Sequence, residues 1–84
     1  MIKFDDLATV FTFADQRRII KVFTIIEDLA KNNDWWQMAV DQFVSADRNE
    51  KIYMCKYMLE IYNSAKDCDF MTLEQAVILS AYPE

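Results

Sequence analysis

The chain predicts an all-α fold: a compact bundle of four to five short helices with the fourth at its centre. Three observations carry that expectation. Glycine is absent from all 84 residues, where average usage of about 7% would place roughly six. Its absence removes the cheapest source of positive φ, on which tight hairpins and glycine-rich phosphate loops lean. The single proline, Pro83, stands at the far end, so nothing of that kind interrupts a helix earlier. Apolar residues make up 54% of the chain and recur at helical spacing through most of it. That content supplies the core of one small domain over residues 1–84, near the size where a single core just suffices.

The first helix is expected over about Asp5 to Phe13. Asp5 and Asp6 suit the positive end of its dipole, and Leu7, Val10, Phe11 and Ala14 follow one apolar face. The second follows a cap in "TFAD", supplied by Thr12 or by Asp15. On a wheel at 100° per residue, Ile19, Val22, Phe23, Ile26, Leu29 and Ala30 form one stripe, opposite Arg17, Lys21, Thr24, Asp28 and Lys31. Glu27 and Lys31 stand at the favourable i, i+4 spacing. "KNND" ends this helix, with Asn32 or Asn33 expected to take the left-handed conformation that glycine would otherwise supply.

Asp34 is the expected N-cap of the third helix, Trp35 to about Ala46. Neighbouring tryptophans in a helix point about 100° apart, so Trp35 and Trp36 cannot serve one face equally. Trp36 clusters with Ala39, Val40 and Phe43 and is expected in the core. Trp35 falls between Gln42 and Ala46, and Met38 among Gln37, Asp41 and Ser45, at the rim or surface. The fourth helix, about Asp47 to Lys66, is the longest. Its apolar residues, among them Tyr57, Ile61, Met54, Met58 and Cys55, span roughly 200° of the wheel, twice what one neighbouring layer requires. That width predicts a helix packed on two sides or one that offers part of its arc to a partner. Thr72 and Gln75 form a capping box for the fifth helix, Leu73 to about Tyr82, which has almost no polar face and is expected either to insert between other helices or to be buried in an oligomer.

Composition excludes several chemistries. Histidine, the commonest general base, is missing. Cys55 and Cys68 alone make neither a zinc site nor a disulfide framework and read as buried fillers. The carboxylate pairs Asp5/Asp6 and Asp67/Asp69 are explained by helix starts and turns, and Glu27/Asp28 by a solvated face. No enzyme, cofactor or metal site is expected. The sequence has neither a signal-peptide pattern nor an apolar run long enough to cross a bilayer, so no membrane partner and a cytoplasmic location with reduced thiols are expected.

Fourteen Asp/Glu stand against nine Lys/Arg. The excess is even: five basic and seven acidic groups in residues 1–42, four and seven in 43–84. A basic stripe for nucleic acid is therefore missing. The expected function is a small acidic, non-enzymatic protein-binding module that covers a partner's surface or pairs with itself. Trp35, Met38, Tyr53, Tyr57 and Ile61 are its candidate interface, because Trp and Tyr offer large, stiff, amphipathic contact area and Met adapts to irregular surfaces. Tiny acidic helical proteins of phages and other mobile elements act in this way as inhibitors of host or defence machinery, an analogy of size and composition.

One alternative rests on the segment "LATVFTFADQRRIIKVFTIIEDL", where a small residue, Asp15 and Arg18 precede an apolar run. It resembles the opening helices of winged-helix repressors over about a quarter of the chain. The resemblance implies a DNA-associated transcription regulator using the face of Arg17, Arg18 and Lys21. No basic recognition helix or glycine-turned wing follows it, which puts that implication in doubt.

Overall fold

Every helix in the structure, a computed structural model describing residues 10–81, is started by a short polar side chain. Helix α1 spans Phe13–Ala30, α2 Asp34–Ser45, α3 Arg48–Lys66 and α4 Leu73–Ser80. No strand occurs among the described residues. Thr12 caps α1, its Oγ1 accepting from the Asp15 amide at 3.1 Å. Asp47 caps α3 through the Glu50 amide at 2.9 Å. In α4 the full reciprocal box forms: Thr72 Oγ1 accepts from the Gln75 amide, and Gln75 Oε1 accepts from the Thr72 amide. Each such cap satisfies an amide that the helix itself leaves without a partner and is worth about 1 kcal/mol.

Four sequence expectations are corrected. The first expected helix lies mostly outside the described residues, and within them Val10 and Phe11 form a turn and bend, while Phe13 already belongs to α1. The cap of α2 is Asn33, not Asp34; its Oδ1 accepts from the amides of both Trp35 and Trp36, at 2.9 and 3.3 Å. Asn33 is extended, φ −147°, and no described residue has positive φ. An extended Asn33 can cap the next helix, which a left-handed one could not, so the helix start wins over the helix stop. Lys31 pairs with Asp28 at 3.2 Å, an exposed i, i+3 contact, and no ion pair joins it to Glu27.

Ile19, Val22, Cys55 and Val77 are 0% exposed and mark the core, which lies where α1, α3 and α4 meet. Phe11, Phe23, Met58, Ile61, Ala65 and Ala76 extend it. Helix α2 adds one buried side chain, Phe43, whose ring meets Phe23 at 5.2 Å between centroids. Helix α3 touches all three other helices, but so does α1, so the centre is shared between them. Helix α4 is less enclosed than its composition implies: Ala76 and Val77 are buried, whereas Leu79 stands more than half exposed. No charged or polar side chain is buried among the described residues, as a small apolar core demands.

Candidate functional site

Helices α2 and α3 follow one another with only Ala46 and Asp47 between them, both extended (ψ 153° and 175°). Two extended residues in succession carry the chain onward instead of folding it back. The two helices accordingly share the smallest contact of any touching pair. Between them lies a groove of about 360 Å³.

Each wall carries one helical stripe along its length. On α2, Trp35, Ala39 and Gln42 follow at i, i+4, i+7; on α3, Tyr53, Tyr57 and Ile61 follow at i, i+4, i+8. Phe23 and Ile26 of α1 join Phe43 beneath, and Ser80 and Ala81 complete the lining at the end of α4. There Tyr57 Oη donates a long hydrogen bond, 3.5 Å, to the Ser80 carbonyl. No lining residue is charged. The apolar arc of α3 is thus divided: Cys55, Met58, Ile61 and Ala65 are buried, while Tyr53 (73% exposed) and Tyr57 face outward.

The tryptophan pair behaves in a way the wheel did not anticipate. Trp36 is half-buried, packed against the core without entering it. The shallow contact of α2 with α3 leaves no closed space for an indole there. Trp35 is 54% exposed. The rings meet edge to face, 4.9 Å apart at 85°, so two side chains leaving the helix 100° apart still form one lip of the same groove.

Of the five residues expected at an interface, the groove brings together Trp35, Tyr53, Tyr57 and Ile61. Ile61 is 8% exposed and forms wall, not free surface, because its position on α3 turns toward Met58 and the core. Met38 is exposed but does not line the groove; it projects from the outer side of α2. Gln42 and Ala39 were missed, although their i+7 and i+4 spacing from Trp35 signals them. Ser80 and Ala81 carry no such signal, since only the tertiary fold brings the end of α4 here.

The candidate nucleic-acid face is partly spent within the fold. Arg17 and Lys21 are exposed, but Arg18 Nη1 lies 3.2 Å from Asp15 Oδ1 and its guanidinium sits 5.7 Å from the centre of the Tyr62 ring. Lys21 borders a smaller hollow of about 280 Å³ with Tyr62, Ala65, Lys66 and Leu73.

Burial pushes the Cys55 thiol up to about 11, by desolvation of the thiolate, which is the wrong direction for a nucleophile at neutral pH. Cys55 and Cys68 are both free. Among the described residues no group of three or more Cys, Asp or Glu is placed to hold a metal ion, and no helix is long and apolar enough to cross a membrane. The chain matches no family model, no curated protein and no solved structure.

Proposed function

We propose that this chain is a non-enzymatic protein-binding module that works by covering part of a partner's surface, with the groove between α2 and α3 as its docking face. The observation that carries the reading is the exposure of Trp35, Tyr53 and Tyr57 around one uncharged groove. Large apolar groups left in water cost about 25 cal/mol per Å² of apolar area relative to burial. Aromatic anchors around a pocket are the features that dominate interface energies. The mild acidity, net charge −5, keeps such a face soluble while it waits for its partner. An inhibitor of the phage or mobile-element kind, acting in the cytoplasm, fits this description by size and composition.

A photo-crosslinking amino acid at position 53 tests the reading, compared with the same group at position 17. Expressed in the native host, the first should trap a discrete protein, and Trp35→Ala or Tyr57→Ala should abolish the product without unfolding the domain. Crosslinks formed from position 17 alone would move the docking face to α1.

The competing reading is a DNA-associated regulator using Arg17 and Lys21, with Lys66 added across the smaller hollow. A DNA binder should lose affinity steeply as salt rises, with Arg17→Ala and Lys21→Ala reducing the slope. Salt-sensitive duplex binding removed by those two changes would favour that reading over the groove.

A further inference from the structure

Resting on the groove as a docking face, we infer that its occupant is one amphipathic α-helix of a partner protein, apolar on the inserted face and basic along its flanks. The shape of the walls comes first. Each stripe, Trp35 to Gln42 and Tyr53 to Ile61, runs roughly 10–12 Å at 1.5 Å per residue, about two helical turns. Two rows of knobs at helical spacing, with a groove between them, accept the i, i+3/i+4, i+7 anchors of a third helix.

Backbone chemistry points the same way. The walls offer few polar partners: Gln42, the two tyrosine hydroxyls, the tryptophan N–H groups and the Ser80 region. An extended segment would bring unpaired amides and carbonyls against apolar rings, each costing a few kcal/mol. The described residues present no sheet edge on which a strand could satisfy them. A helix arrives with its backbone bonds already made.

Charge completes the description. No charge lies inside the groove, but five charged residues sit next in sequence to lining positions: Glu27, Asp34, Asp41 and Glu60 against Lys56 alone. On α3, Glu50, Tyr53, Tyr57 and Glu60 follow at i, i+3, i+7, i+10, so carboxylates stand at both ends of the exposed tyrosine row. Neither Glu50 nor Glu60 has a Lys or Arg partner among the described residues. Unpaired rim carboxylates steer a basic partner in and hold its register, and they disfavour an acidic one.

Trp35 and Trp36 are the only tryptophans, so their emission reports on the groove directly. The full chain is titrated with three synthetic peptides of about 18 residues, long enough for a helix in isolation. One carries Leu at i, i+3/i+4, i+7 with Lys elsewhere; the second replaces Lys by Glu; the third is the Leu/Lys peptide with two central prolines, which cannot form the helix. The expected result is a saturable emission shift with the Leu/Lys helix and at least tenfold weaker binding of the other two. Glu60→Lys should weaken it several-fold, and Tyr57→Ala at least tenfold. Leu/Lys binding untouched by Tyr57→Ala would be general charge attraction and overturns the inference. Equal, Tyr57-dependent binding of all three peptides also overturns it, yet leaves the docking face standing. No shift with any peptide, together with crosslinks mapping away from position 53, removes both. A mass of two chains, with emission that changes on dilution, assigns the groove to a second copy and overturns the basic helix as occupant.

Discussion

The side where α1, α3 and α4 meet and the side where α2 faces α3 draw on similar residues and end differently. On the first, Ile19, Val22, Cys55 and Val77 are sealed from water. On the second, Trp36 is half-buried and Trp35, Tyr53 and Tyr57 are open, although each residue belongs to a helix as well formed as the others. The contrast lies in the connections. Residues 67–72 bring α4 back onto α3, with the Met71 amide donating to the Cys68 carbonyl at 3.3 Å to turn the chain. The extended pair Ala46–Asp47 lets α2 diverge. One helix, α3, lines both sides, so its 200° arc is core on one flank and wall on the other.

That contrast can be broken or sharpened by substitution, beginning with the largest effect. Phe43 is the single buried side chain of α2 and pairs with Phe23. Phe43→Ala should cost about 3–5 kcal/mol in urea unfolding and detach α2. Ile19→Ala, on the sealed side, should cost about 2–5 kcal/mol and leave binding in the groove intact in the folded fraction.

Next comes the tryptophan pair. Trp36→Ala should destabilise by about 2–3 kcal/mol, below a full core truncation because the ring is half-exposed, and Trp35→Ala by about 1 kcal/mol. The double-mutant cycle should return a coupling of about 0.5–1.5 kcal/mol for the edge-to-face contact. Equal losses from both single changes, with binding kept, would put Trp35 in the core.

Alkaline pH separates the two sides by a different route. The folded Cys55 thiol titrates near 11 against an ordinary 9.0, because burial disfavours its thiolate. Its stabilising contribution is therefore full below pH 9 and is lost as pH rises toward 11, by up to about 2–3 kcal/mol. The test is the difference between the parent and Cys55→Ala: the variant should lose less stability between pH 9 and 11. The smallest effect belongs to the surface. Breaking the exposed Asp28–Lys31 pair with Lys31→Ala should change stability by less than about 1 kcal/mol.

Much of this architecture was legible from residues alone, and the failures have physical causes. Thr72 announced its helix because a T-x-x-Q pattern before an apolar run has one economical use, whereas Thr12 stood level with Asp15 until its Oγ1 was placed on the Asp15 amide. Asn33 and Asp34 are equally good caps in sequence, and only the reach of Asn33 Oδ1 to two amides decides between them. The wide arc of α3 correctly signalled more apolar surface than one neighbour covers. What it could not convey was where the uncovered part lies, since that depends on the divergence of α2 and the return of α4. Trp36 was misplaced for that reason, and Ser80 could not be found at all. Arg18 shows the reverse: it reads as surface in sequence, yet Asp15 and Tyr62 hold it.

The most direct test of the division is to change the open wall alone. A Tyr53→Ala/Tyr57→Ala protein, compared with the parent by urea unfolding and by titration with the basic amphipathic helix, separates stability from binding. The two residues are exposed, so the unfolding free energy should stay within about 1 kcal/mol of the parent while binding weakens by at least tenfold. A loss of several kcal/mol in stability with binding unchanged would make the tyrosine row part of the core and contradict the groove as the working face.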